Sequence, residues 1–374
     1  MPKILILASA ARSLLNFRGD FIRSLIDNGY QVFAAAPEMV PETAELLQKL
    51  GATPLPLKLA RTGINPFRDL GTIWHIRRII RKYEIDMLFP YTIKPVIYGS
   101  MAARTLNIPV VSMITGLGFT FGESNSRARM LQQVTQVLYK WGLSRNRVVI
   151  FQNRDDRDLF LQKGLIGPGR KTALVNGSGV NLDGYPFRKR ESDGSRVVFV
   201  LVARLIREKG VDIFMEAAES LKQNYPGAEF HIIGQPDGSM SSISATVLQD
   251  YHDRGIIVYH GFQRNVPELL YDSDVFVLPT FYREGVPRSI LEALSIGMPI
   301  ITTDTPGCRE TIVPNKNGIL IPPKDQEALY EAMKSILDHP ERIGPMGLAS
   351  RKLAEEKFDV RLINKELIRL IGEA

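Results

Sequence analysis

The segment FYREGVPRSILEALSIGMPIITT (281–303) carries two carboxylates, Glu284 and Glu292, with Gly285, Val286 and Pro287 directly after the first. A buried strand, DVFVLP (274–279), leads into it. Pro287 suits the first turn of a helix, and Gly297 with Pro299 closes that helix. A helix starting there presents free backbone amides from about Gly285 to Ser289, an anion site beside the strand ends. Two carboxylates beside an anion site are reconciled if each accepts from hydroxyl groups, as on a sugar and a ribose. An acidic residue on ribose hydroxyls recurs in nucleotide-binding α/β folds. In a second segment, VFVLVARLIREKGVDIF (198–214), Arg204 follows an apolar strand and Lys209–Gly210 opens the next helix. Both cations can neutralise a phosphate there, while Arg207 and Glu208 between them read as a solvated turn.

The elements that must position these groups are short apolar runs alternating with helical patterns. The first half has KILILA (3–8), QVFAAA (31–36), IDMLF (85–89), IPVVSMI (108–114), RVVIFQ (147–152) and KTALV (171–175), with helices near 19–28 and 42–50. The second half restarts with RVVFVLVA (196–203), AEFHIIG (228–234), GIIVYHG (255–261), DVFVLP, MPIITT (298–303) and NGILIPP (317–323). Continuous apolar strands alternating with helices predict parallel sheets covered on both faces. Two such sets predict two doubly wound α/β domains, with ligands at the carboxyl ends of the strands. The Gly-, Pro- and charge-rich stretch 176–195 is the expected boundary.

At 374 residues the chain is long enough for about two domains. Its 44% hydrophobic and 23% charged residues are a globular composition. The net charge of +7 conceals an asymmetry. Residues 1–190 hold 27 Lys and Arg against 13 Asp and Glu, and residues 191–374 hold 20 against 27. The first half is therefore at +14 and the second at −7. The basic half is expected to meet an anionic partner: nucleic acid, a phosphorylated metabolite or a phospholipid surface. In 72–85, Ile73, Ile76, Ile79, Ile80 and Tyr83 recur at helical spacing with Arg77, Arg78, Arg81 and Lys82 between them. In 127–147, Met130, Leu131, Val134, Val137, Leu138 and Trp141 form one stripe. Each helix can either bury that stripe in the core or lie on anionic lipid. A single cysteine, Cys308, excludes an intramolecular disulfide framework. No apolar run approaches the roughly 20 residues that span a bilayer. The start, MPKILILASAARS, fits a buried strand better than a signal peptide.

RLIREKG (204–210), EGVPRSILEA (284–293) and PGCRETI (306–312) together resemble the retaining family-4 nucleotide-sugar glycosyltransferases of the GT-B fold. YTIKPVIYG (91–99), ITGLGFTF (114–121) and VNGSGVN (175–181) are similar to the bacterial branch that acts on undecaprenyl-diphosphate-linked sugars. The resemblance implies two Rossmann-like domains facing a central cleft. Residues 1–180 would bind the acceptor and residues 181–357 the nucleotide sugar, with helix 358–374 crossing back to the first domain. It implies that Arg204 and Lys209 hold the donor diphosphate and that Glu284 meets hydroxyls of the transferred sugar, lined by Gly285, Val286 and Pro287. Glu292 would bind the ribose of UDP, and Gly261, Phe262 and Val266 the base, with Gly234 leaving room beside the nucleotide. On the acceptor side, Gly116 and Gly118 would shape a loop, with Phe119 and Phe121 touching lipid. Lys94 would either approach the acceptor diphosphate or serve the fold. The expected reaction moves a sugar, an N-acetylhexosamine, from UDP to a polyprenyl-diphosphate-linked saccharide. Its expected setting is the cytoplasmic face of the membrane, with an anionic bilayer as partner, no metal or other cofactor, and no nucleic acid.

The chain departs from that pattern in two places: SAARSLLNFRG (9–19) replaces a glycine-rich first loop, and no amino-terminal histidine stands near the reacting sugar. His231, His252, His260 and His339 are expected not to cluster, and Asp156/Asp158 and Asp272/Asp274 read as structural, so no metal site is predicted. GLGFTFG (116–122) departs from the dinucleotide spacing. The alternatives are another sugar-nucleotide enzyme of the same fold (an epimerase or a soluble-acceptor transferase), or a non-catalytic nucleic-acid- or sugar-binding protein. The basic half lacks a Lys/Arg-rich tail, zinc-finger spacing or ribonucleoprotein aromatics.

Overall fold

A computed structural model of the chain describes residues 1–60, 63, 65–118, 126–190 and 194–374, in two compact units: 1–178 with 360–374, and 179–359. The first unit runs β1 (Lys3–Leu7), α1 (Ala11–Asn16), α2 (Gly19–Asp27), β2 (Gln31–Ala36), α3 (Pro41–Lys49), β3 (Thr53–Pro56), α4 (Pro66–Tyr83) and β4 (Met87–Pro90). It continues with α5 (Ile93–Arg104), β5 (Val111–Ile114), α6 (Ser126–Leu143), β6 (Val148–Phe151), α7 (Arg154–Gln162) and β7 (Lys171–Leu174). Strands pair in the orders β3-β2-β1-β4 and β5-β6-β7, all parallel. Parallel bridges Leu88–Val110 and Tyr91–Met113 join the two sets. Leu5 and Leu7 of β1 enter one core with Ile76, Ile80, Val96 and Leu143, while Ile4 and Ile6 enter the other with Phe21, Leu25 and Phe89. That is why the strand reads as an unbroken apolar run.

The second unit comprises β8 (Val197–Val202), α8 (Val211–Lys222), β9 (Ala228–Ile233), α9 (Ala245–Asp253), β10 (Val258–Gly261), α10 (Val266–Tyr271) and β11 (Val275–Leu278). It closes with α11 (Arg288–Ile296), β12 (Ile300–Thr303), β13 (Gly318–Ile321), α12 (Gln326–Asp338) and α13 (Ile343–Leu353). The last helix, α14 (Val360–Gly372), belongs to the first unit, where Ile363, Leu367, Leu370 and Ile371 join the core of α2. The second sheet has the order β10-β9-β8-β11-β12-β13, all parallel. This is the dinucleotide-fold order, whose direction reverses between β8 and β11, and ligands bind at the carboxyl ends beside such a reversal.

Two features depart from the sequence-based expectations. Strand β3 was not anticipated, because Pro54 and Pro56 cannot donate to a ladder. It lies at the sheet edge, where the missing N–H groups are tolerated. Helix α4 starts at Pro66, ahead of the expected 72. Asn65 caps it by accepting from Arg68 N at 3.1 Å, and Asp69 accepts from Asn65 N at 3.0 Å. Its opening turns expose Phe67 and Leu70, so the buried stripe begins only later.

Arg190 is a buried cation of the second unit. Buried at 5% exposure, its guanidinium donates to the carbonyls of Leu270, Ser273, Ile296 and Gly297 at 3.0–3.1 Å, around the ends of α10 and α11. Burial pushes its pKa down to about 10. Replacing Arg190 by Met takes a charged donor away from all four of these carbonyls. The expected loss is about 3 kcal/mol or more of stability in the second unit, read as a lower urea midpoint with unchanged slope.

Candidate active site

The carboxyl ends of β8 and β11 converge through one backbone atom. The carbonyl of Glu208, in a short 3-10 turn (Arg207–Lys209), accepts from Phe281 N at 2.9 Å, Tyr282 N at 3.1 Å and the Thr280 hydroxyl at 2.9 Å. The turn after β8 is thereby fastened to the loop after β11. Glu208 is thus no solvated turn residue: one of its carboxylate oxygens is also shut off from solvent without a hydrogen-bond partner. Arg207 is exposed, as expected of a turn.

On this junction Lys209 forms an ion pair with Glu284 Oε1, and both side chains are largely buried, at 10% and 17% exposure. The Thr280 hydroxyl lies 3.4 Å from the same carboxylate oxygen. The Tyr282 ring gathers both cations, with Lys209 Nζ 5.6 Å and the Arg204 guanidinium carbon 5.8 Å from its centroid. Arg204 also meets Asp237 Oδ2 at 2.9 Å. Burial raises the Asp237 pKa, but hydrogen bonds from Ser239 and the charge of Arg204 outweigh it and hold the carboxyl below its usual range. Tyr282 and Asp237 were not singled out from sequence. The signal for the first is an aromatic residue two places before Glu284. Asp237 sits in a Gly- and Ser-rich loop that offers no comparable cue.

The rest of the loop is held by backbone packing. Gly307, at φ +86°, lies so close to Gly285 that a Cβ would sit 1.4 Å from the Gly285 carbonyl oxygen. Pro287 takes the N-cap position of α11, and no side chain caps that helix. Its first-turn amides are the kind of site that accepts an anion. Glu292 accepts from Arg288 Nε at 3.0 Å and also lies against Tyr185, whose hydroxyl is pushed up by burial and by the Glu292 charge. Arg288 additionally donates to the Gly179 carbonyl. Cys308, fully buried behind the loop, is raised to about 11 by burial and the Glu284 charge, so its thiol stays protonated.

The expected base-side residues lie after β9 and β10. Gly234 N donates to Gly261 O at 2.9 Å, Phe262 is half exposed, and Val266 opens α10. The structure gives Gly234 a reason of its own: at φ +146° a Cβ would lie 1.9 Å from the Ala203 carbonyl oxygen. One expectation fails. His231 and His260 do cluster, 3.3 Å apart, because β9 and β10 pair in parallel across a sequence gap that hid them. Burial lowers both pKa values. Among the described residues no group of three or more His, Cys, Asp and Glu could hold a metal ion. Asp156 lies in a reciprocal cap with Asn153, and Asp274 is bonded to Val198 N at 2.9 Å.

In the first unit, Gly116 and Gly118 both have positive φ on the turn after β5, while Phe119 and Phe121 lie outside the described residues. Lys94 turns to the Ala60 carbonyl at 2.7 Å and to Asp69 at 3.7 Å, which ties α5 to the start of α4. The site's dependence on backbone contact is testable at Gly307. Ala there is expected to force the two loops apart and lower second-unit stability by at least ~2 kcal/mol, measured by urea unfolding.

The glycosyl transferases group 1 family model matches residues 186–352, and the glycosyl transferase 4-like model matches residues 3–153. Over 344 residues the chain is 27% identical to the N,N'-diacetylbacillosaminyl-diphospho-undecaprenol alpha-1,3-N-acetylgalactosaminyltransferase of Campylobacter jejuni, covering 89% of this chain and 88% of that one. Over 292 residues it is 27% identical to the UDP-Gal:alpha-D-GlcNAc-diphosphoundecaprenol alpha-1,3-galactosyltransferase of Escherichia coli, covering 74% and 72%. Among solved structures, sucrose-phosphate synthase of Thermosynechococcus elongatus superposes with a TM-score of 0.82 at 17% identity, covering 100% of this chain and 99% of that one. Anabaena HepE in complex with UDP superposes with a TM-score of 0.77 at 18% identity, covering all of both chains. These two structural likenesses speak to the fold. Matched in both halves by glycosyltransferase models and along most of its length by curated transferases, the chain belongs to the family-4 glycosyltransferases of the GT-B fold.

Proposed function

We propose that this glycosyltransferase moves an N-acetylhexosamine from its UDP form to a polyprenyl-diphosphate-linked saccharide. In this reading it acts with retention and without a divalent metal, at the cytoplasmic face of the membrane. The observation that carries the reading is the gathering of Arg204, Lys209 and Glu284 around Tyr282, beside the uncapped start of α11. Two cations and a row of amides suit a diphosphate, and a carboxylate held beside them suits sugar hydroxyls. The names of the Campylobacter jejuni and Escherichia coli relatives both specify a diphospho-undecaprenol acceptor, which supports the choice of acceptor class.

In this mechanism the bond between the anomeric carbon and the donor phosphate oxygen breaks. The acceptor hydroxyl oxygen forms the new bond on the same face of the sugar, and its proton passes to the departing phosphate oxygen. The chain supplies charge and position. Arg204 and Lys209 stabilise the negative charge growing on the leaving diphosphate, and the amides at the start of α11 act with them. Glu284 keeps Lys209 aimed into the site and orients the sugar by accepting from its hydroxyls. Glu292 takes the ribose after exchanging its present partners, Arg288 and Tyr185. Phe262 offers a ring to the base. In the first unit the Gly116–Gly118 turn shapes the acceptor side, and Lys94 acts by positioning α4.

The test is incubation with a lipid-linked saccharide and a panel of UDP-sugars in the presence of EDTA. Turnover is expected with one UDP-N-acetylhexosamine, with the donor's anomeric configuration kept in the product. Lys209→Ala is expected to lower kcat about 10²–10³-fold, in line with removal of one charge-stabilising donor from a preorganised site. Absence of transfer and of hydrolysis with every donor would sink the proposal.

A further inference from the structure

Arg288 stands in the first turn of α11, one turn before Glu292, and its guanidinium is shared between two partners. Nε donates to Glu292 Oε1 at 3.0 Å, and Nη1 donates to the carbonyl of Gly179. Both side chains of the ion pair are only 15% exposed. One end of the rigid guanidinium plane is thus fixed by a carboxylate, and that fixes where the other end points. The Tyr185 hydroxyl is also hydrogen-bonded to Glu292. Tyr185 is held in turn through its carbonyl, which accepts from Ser295 Oγ at 2.7 Å and Arg351 Nη1 at 3.3 Å.

Gly179 is the residue at which the chain enters the second unit, and Asp359 the one at which it leaves. These two passages are clasped together inside that unit. Val180 N donates to Phe358 O at 2.8 Å, and Val180 forms a parallel bridge with Asp359. Val180 and Phe358 are fully buried in one cluster with Ile290, Leu291 and Leu294 of α11. The Gly179 carbonyl and the Val180 N–H belong to one planar peptide group. Arg288 therefore holds one side of the peptide whose other side closes the clasp, and the two bonds polarise each other.

We propose that Arg288 is a positioning residue that couples the ribose carboxylate, Glu292, to the clasp between the two chain passages. The proposal deepens the functional reading above and rests on it for the ribose at Glu292. A ribose hydroxyl that donates to Glu292 displaces the group that anchors Arg288. The guanidinium is then held only at Gly179, on a stem free to turn, and that bond weakens. An occupied ribose site loosens Val180 from Phe358, and by linkage an intact clasp opposes ribose binding. An Arg288 with a purely structural role would hold Gly179 equally with the site empty or filled.

Hydrogen exchange at the Val180 amide of the full chain, read from peptides covering 176–182, reports on the clasp. Saturating uridine is expected to speed that exchange roughly 10-fold or more, the weight of one hydrogen bond to a charged group. 2′,3′-Dideoxyuridine brings no ribose hydroxyl to Glu292, and at concentrations where calorimetry shows it bound it should leave the exchange unchanged. In Arg288→Ala the exchange should be fast without ligand and indifferent to uridine. Arg288→Lys keeps a charge for Glu292 but cannot fork to both partners, and it should behave as Arg288→Ala does. Bound uridine that leaves Val180 unchanged or slower, an equal response to dideoxyuridine, or a response kept in Arg288→Lys would overturn the proposal. Calorimetry with UDP and uridine separates the two levels. No binding of either sinks the functional reading and the coupling with it, whereas binding with an unmoved Val180 amide sinks the coupling alone.

Discussion

One carbonyl oxygen sets the geometry on which the candidate site depends. By accepting from Thr280, Phe281 and Tyr282, the Glu208 carbonyl joins the turn after β8 to the loop after β11, across the point where the strand order reverses. Lys209 follows that carbonyl directly, and Glu284 lies two residues beyond Tyr282. Their ion pair is a consequence of the junction. A charged pair this far from water is tolerated only where its partners are held in place. Here three hydrogen bonds to a single acceptor do the holding, with Gly307 pressed on Gly285 from the other side.

The same junction explains why two like charges can share a small space. Arg204 and Lys209 both lie within 6 Å of the Tyr282 ring centroid, and each has its own carboxylate, Asp237 and Glu284. Each of the two cations is thus paired in the resting site. In the proposed reaction an incoming diphosphate would compete with those carboxylates for the cations, which would place the two acids close to the donor oxygens.

Much of this was legible in the sequence, and the limits are physical. The strands buried on both faces announced themselves as continuous apolar runs, and EGVP with Pro287 marked the loop and the helix start. Edge strand β3 was hidden because proline suppresses the strand signal exactly where an edge allows it. Glu208 looked solvated because its contribution is made by a backbone carbonyl, and a side-chain pattern carries no trace of that. His231 and His260 looked unrelated because strand register alone brings them together. On α6 the periodicity was visible, but which face it presented to the core depended on how the helix packs against α5.

The central claim is that Arg204 and Lys209 form a diphosphate site held open by this junction. The measurement that bears on it most directly is calorimetric affinity for UDP compared with uridine, in the native chain and in Lys209→Met. The account predicts that UDP binds about 100-fold or more tightly than uridine, as expected of charge-assisted contacts to the diphosphate, and that Lys209→Met removes most of that difference while leaving uridine affinity alone. Equal affinity for the two ligands, or a difference untouched by the substitution, would contradict it.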